Sequence, residues 1–209
     1  MKNVTDRTSN PFGMRPDCAR FVPGYGDANA HFHVIGDHPG VHGGADTGVP
    51  FTNEAGHRLQ AALAEAGLLE TTGDEPTVDR TYLSYLHMCV PDGDAPTEAD
   101  YTELERYLDA ELRAIAAHVL LPVGARATAY VLRNHTARPA DDGLDLHALH
   151  GTEVLGSGFL VVPVLDPAEW TDAEHDRLVD GLRELQRTDY RREVDLGRFL
   201  AGDQPYHVR

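Results

Sequence analysis

The chain has 209 residues, 41% of them hydrophobic, which suits one domain with a sizeable core. No apolar run approaches the ~20 residues of a membrane helix, and the polar start, Met1 to Asn10, lacks the hydrophobic centre of a signal peptide, so a soluble, cytoplasmic, monomeric protein is expected. Thirty-four acidic residues against eighteen basic give a net charge of −16, which supplies no basic footprint for nucleic acid, and two cysteines with no Cys-x-x-Cys spacing cannot alone build a four-cysteine metal centre.

Residues 1–20 show little periodicity and read as a lead-in segment. The first strand covers residues 31–36, where Phe32, Val34 and Ile35 supply β-propensity, and it stops at Gly36. A loop follows with glycines at 36, 40, 43, 44 and 48. A helix opens at the N-cap Asn53, carries Leu59, Ala62, Leu63 and Ala66 on one face, and ends at Gly67. This strand, glycine loop and helix organise the rest. The loop is no phosphate-binding Walker loop, because it lacks the Gly-Lys-Ser/Thr ending, and it is no Gly-x-Gly-x-x-Gly dinucleotide site.

Past a polar link from Glu70 to Thr77, residues 81–88 (Thr-Tyr-Leu-Ser-Tyr-Leu-His-Met) read as a second strand. Thr97, with Asp100 at the reciprocal position, caps a long helix whose inner face is Tyr101, Leu104, Leu108, Leu112 and Ile115. Val119–Val123 is a buried strand, Ala125–Leu132 a short helix, and 134–147, with Pro139 and Gly143, a loop. The last strand is Phe159–Val164, for which Pro163 suggests an edge position or a bulge. Thr171 and Glu174 form a capping box for a closing helix that buries Leu178, Leu182 and Leu185, and residues 190–209 are a charged tail. Alternating strands and helices imply an α/β three-layer sandwich: a central, mainly parallel four-stranded sheet with helices on both faces, and a site at the strand carboxyl ends.

The motifs at those strand ends resemble those of the uracil-DNA glycosylase superfamily, in its branches called families 4 and 5. Val22-Pro23-Gly24-Tyr25-Gly26-Asp27-Ala28-Asn29-Ala30 is similar to their Val-Pro-Gly-x-Gly-Asp-x-x-Ala approach. Gly36-Asp37-His38-Pro39-Gly40 resembles the Gly-Glu-Ala-Pro-Gly of family 4, and His42-Gly43-Gly44 with Thr47-Gly48-Val49-Pro50-Phe51-Thr52 resembles the His-Gly-Gly and Thr-Gly-Arg-Pro-Phe-Thr of family 5. Leu121–Thr128, Leu149-His150-Gly151 and Leu165-Asp166-Pro167-Ala168 follow the later family segments in order and spacing, placing a glycosylase-like domain at residues 21–189.

The resemblance implies an enzyme that hydrolyses the N-glycosidic bond of a deaminated or damaged base in single- or double-stranded DNA, in base excision repair. It implies that Phe51 stacks on the base within a pocket formed with Gly36, His38, Pro39, Gly40, His42 and Tyr85, and that the His150-Gly151 loop contacts DNA. Asp37 stands at the motif acid, and Glu54 is a second candidate acid. Two family groups are replaced. The asparagine that reads the uracil edge falls at Tyr85, and the histidine that donates to the leaving base falls at Asp166, which is kept as a third candidate catalytic residue although its charge would repel a departing anion. A catalytically inactive nucleic-acid or nucleotide-binding member of the same fold is therefore the alternative. The four-cysteine iron-sulfur cluster of the family is expected to be lost: Cys89 matches one ligand position, while another falls at Leu104. The acidic, lysine-poor composition also resembles that of proteins from salt-accumulating halophilic archaea. At 1 M salt the Debye length is about 3 Å, so net charge there neither supports nor excludes DNA.

Overall fold

The computed structural model describes residues 4–137 and 144–199, so the expected lead-in, loop and tail lie partly outside the described residues. The sheet holds six strands: β1 (Tyr25–Gly26), β2 (Phe32–Gly36), β3 (Thr81–Tyr85), β4 (Val119–Pro122), β5 (Val154–Leu155) and β6 (Leu160–Val161). Their order is β1-β3-β2-β4-β6-β5. The four inner strands are parallel, as expected, and β1 and β5 add antiparallel edges that correct the four-strand expectation. Strands of two residues are too short to show an alternating pattern in sequence.

Side chains alternate across the sheet and sort the helices into two layers. Phe32, Val34, Leu121 and Val162 meet Leu59 and Leu63 of α2 (Glu54–Glu65) and Leu178, Leu182 and Leu185 of α6 (Asp172–Arg187). On the other face Ile35, Leu120 and Val161 meet Leu108 and Leu112 of α3 (Glu98–Ile115) and Ala127, Val131 and Leu132 of α4 (Gly124–His135). The expected caps form: Asn53 accepts from Gly56, while Thr97 with Asp100 and Thr171 with Glu174 are complete capping boxes. Two short helices, Pro39–His42 and Leu146–Leu149, lie in the loops, and none of the helices among the described residues is long and apolar enough to cross a membrane.

Two further expectations change. β6 is an inner strand, yet Pro163 costs no ladder bond: Val162 and Val164 donate to Leu120 and Pro122 on one side, while β5 has already ended on the other, where Gly151 N–H donates to the Pro163 carbonyl. The stretch read as a charged tail contains a helix, Tyr190–Phe199, held by Tyr190 and Val194 against the core beside Phe32. Two anchors are too few to give a visible period.

Candidate active site at the strand carboxyl ends

Parallel pairing brings Gly36, Tyr85, Gly124 and Asp166 toward the carboxyl ends of β2, β3, β4 and β6. Gly36 pairs with Tyr85, and a Cβ at Gly36 would lie 2.7 Å from the Tyr85 ring and 2.8 Å from Phe51, so only glycine fits. His38 caps the short helix that follows: its Nδ1 accepts from Gly40 N–H at 3.1 Å, and its ring is buried beside that glycine. Burial holds the His38 imidazole below its usual range, against the opposing pull of Asp37. Pro39 then sets the first helical turn.

Asp37 projects from this turn, with 21% of its side chain exposed. One carboxylate oxygen accepts from the Tyr101 hydroxyl, and the other lies 4.0 Å from Arg126 Nε. The Arg126 guanidinium lies 4.3 Å from the Tyr101 ring centroid and donates to Glu98 at 2.7 Å. Burial, then the Asp37 carboxylate, push the Tyr101 hydroxyl above its usual range, so it remains a donor. Tyr101 was legible only as a helix inner-face residue, and Arg126 only as part of a family motif. Their meeting with Asp37 joins α3 and α4 to β2 across 64 and 89 residues of chain.

Phe51, Tyr85 and His42 form a closed aromatic cluster. Ring centroids lie 5.2 Å apart for Phe51–Tyr85, 5.4 Å for His42–Phe51 and 6.4 Å for His42–Tyr85, and all three side chains are buried. Phe51 adopts φ +61°, a left-handed conformation costly for an aromatic residue, and the fold holds it there. Its N–H donates to the Tyr85 hydroxyl at 2.7 Å, and its carbonyl accepts from buried Gln60 at 2.8 Å. Gln60 also exchanges two bonds with Gly73, so it ties the Phe51 turn to the link before β3. Nothing in the helical spacing of α2 singled it out. The Tyr85 hydroxyl donates to Gly43 O at 2.9 Å, so both its hydrogen-bonding roles are taken by backbone.

His42 Nδ1 accepts from Asp37 N–H at 3.4 Å, which leaves the proton of the neutral ring on Nε2. That Nε2 is buried without a hydrogen bond, and Asp166 Oδ2 stands 3.8 Å away. The other Asp166 oxygen accepts from Ala168 N–H at 2.9 Å; the facing imidazole, and after it this N–H, hold the carboxyl below its usual range. The Asp166 turn is itself fixed by His150, whose Nδ1 accepts from Leu165 N–H and whose Nε2 donates to Glu174 O, and by Trp170, whose indole donates to Leu165 O. His150 thus sits in the interior with both ring nitrogens committed. Gly151 turns with φ +68°, and its carbonyl packs against Gly181 of α6. Glu54 is exposed in the first turn of α2, apart from the cluster's interior.

Cys18 and Cys89 are joined as a disulfide, which ties the lead-in segment to the chain just past β3. Two cysteines, both committed to each other, do not fit a four-cysteine iron-sulfur cluster, and no group of three or more histidine, cysteine or acidic side chains among the described residues could hold a metal ion.

Residues 23–181 match the family described as the uracil DNA glycosylase superfamily. A "Type-5 uracil-DNA glycosylase" of Thermus thermophilus is 36% identical over 155 residues, covering 66% of this chain and 71% of that protein. Proteins of the same name from Mycobacterium leprae and Pyrobaculum aerophilum are each 32% identical, over 58% and 54% of this chain. The chain spans 57% and 53% of the lengths of those two relatives. With the motif loop, the inner parallel strands, helices α2, α3 and α4 and the first part of α6 inside the matched region, the chain belongs to the uracil-DNA glycosylase superfamily.

Proposed function

We propose that this protein hydrolyses the N-glycosidic bond of a deaminated base, uracil foremost, in DNA, as a monomeric cytoplasmic enzyme of base excision repair that works without an iron-sulfur cluster. The observation that carries this reading is Asp37: a partly exposed carboxylate at the end of β2, aimed by Tyr101 and Arg126. Such a group can orient a water for attack at the sugar carbon and offset the positive charge that develops there. Phe51 is the stacking surface for the extruded base, with Gly36, Pro39 and Gly40 allowing close approach of the loop backbone. Glu54, exposed at the start of α2, is a second candidate acid, and the His150-Gly151 turn is a backbone contact for the DNA strand.

The second reading, a binding member without catalysis, draws on the aromatic cluster. Phe51 has no exposed face and the Tyr85 hydroxyl is consumed, so the cluster must part before a base can stack. One assay separates the two: single- and double-stranded oligonucleotides bearing uracil, hypoxanthine or xanthine are incubated with the protein in molar potassium chloride and scored for abasic sites. Release of a base supports the enzyme; binding without release from any substrate supports the alternative. Iron analysis of the same preparation should find none in stoichiometric amount.

A further inference from the structure

We infer that His42 has taken over stabilisation of the leaving base from the last-strand position, now Asp166, and that the protein is tuned to bases with a carbonyl beside the glycosidic nitrogen, the 2-oxopyrimidines. The inference rests on the glycosylase reading. Three observations carry it. The Asp37 N–H fixes the ring as the tautomer with its proton on Nε2. His42 is 1% exposed, and its N–H has no acceptor within hydrogen-bonding distance, Asp166 Oδ2 standing off at 3.8 Å, an unfavourable state for a buried donor that calls for an explanation. The ring lies against Phe51, the surface on which the base stacks, and adjoins the loop that carries Asp37.

In the step this describes, the bond between the sugar C1′ and pyrimidine N1 breaks and its electron pair stays with the base. The charge spreads onto the adjacent carbonyl oxygen, which accepts from His42 Nε2–H. Water adds to C1′ and gives up a proton to Asp37, and the base anion takes a proton from solvent after release. A neutral imidazole suffices, because it donates a hydrogen bond without transferring its proton. Asp166 competes for the same N–H from 3.8 Å and its charge opposes the anion, so it slows the step while holding the ring in the closed cluster.

The test is single-turnover release of uracil and of 5-fluorouracil from otherwise identical single-stranded oligonucleotides in molar potassium chloride. Fluorine withdraws electron density, so the 5-fluorouracil anion leaves with less help. His42→Leu should slow uracil release about 100-fold, as loss of one anion-stabilising donor does, and slow 5-fluorouracil release much less. His42→Gln, which keeps an N–H donor, should recover part of the uracil rate, and Asp166→Asn should exceed wild type on uracil. Equal slowing of both bases, or none, would overturn the role of His42, since damage to the fold does not distinguish leaving groups. If His42→Leu fails to fold, His42→Gln alone decides by whether its loss is larger on uracil than on 5-fluorouracil. A wild type that releases neither base would instead overturn the enzymatic reading and this inference with it.

Discussion

Two buried polar clusters lie on the sheet, and they differ in where their polar atoms point. The first is the strand-end cluster of His42, Phe51 and Tyr85. The second sits under α3, where Tyr82 donates to Glu111 at 2.9 Å and His33 pairs with Ser84 at 2.7 Å, and all four side chains are buried. Gly24 belongs to it too, because a Cβ there would lie 2.1 Å from the Tyr82 hydroxyl. The α3 cluster is covered by α3 and by the Gly24 backbone, and all four of its side chains are buried, so its titrating groups are expected to act on stability. The strand-end cluster closes a loop against a turn: the buried His42 N–H faces Asp166 at 3.8 Å, and Asp37 beside it is partly exposed at the strand carboxyl ends. What separates the two clusters is that only the strand-end one stands beside a partly exposed, positioned acid.

The sharpest way to break this comparison is at Asp37. Asp37→Asn should lower base excision about 1,000-fold, the range expected of a positioned general base, with little change in melting temperature. A variant that keeps its rate would remove Asp37 from the mechanism. Tyr85→Phe probes the same cluster for stability. It deletes the acceptor for Phe51 N–H and the donor to Gly43 O, and should cost roughly 1–3 kcal/mol in denaturant unfolding. No loss would show that water or backbone replaces the hydroxyl.

The α3 cluster should answer to pH. Burial pushes the Glu111 carboxyl up to about 8, against the lowering effect of Tyr82 and Ser84 hydroxyls. Its contribution to stability is full below the unfolded value of 4.5 and is lost as pH rises through about 8. Burial pushes His33 down to about 3, so its contribution is full above 6.5 and is lost as pH falls toward 3. The two slopes oppose each other between 4.5 and 6.5, which places the stability maximum there. Glu111→Gln should flatten the alkaline side of the melting profile and leave base excision unchanged. A profile identical to wild type would mean that Glu111 is not what sets the alkaline limb. The smallest effect per charge is that of salt: with 34 acidic and 18 basic residues, melting temperature should rise from low to molar potassium chloride as repulsion is screened. A flat or falling series would remove the halophilic reading.

Much of this protein was legible because its signals are local. Asn53, Thr97 and Thr171 announce their helices through bonds spanning three residues or fewer, and the alternation through Phe32, Val34 and Ile35 sets the two faces of β2. The glycine loop was legible as a site for the same reason: Gly36 and Gly40 follow directly on a strand. The disulfide was not, because spacing alone says nothing about which surfaces a chain brings together, and Cys18 and Cys89 are 71 residues apart. Nor was the fate of Tyr85, whose hydroxyl is spent on two backbone groups 34 and 42 residues away. The sequence by itself determined the helices, the parallel inner strands and the loop that carries the acid, since these depend on periodicity and caps within one stretch of chain. Only the tertiary structure decided that Asp37 meets Tyr101 and Arg126, that His150 turns inward, and that His42 Nε2–H is left without an acceptor. Each of those facts depends on the direction of a side chain between elements distant in sequence, which no local pattern encodes.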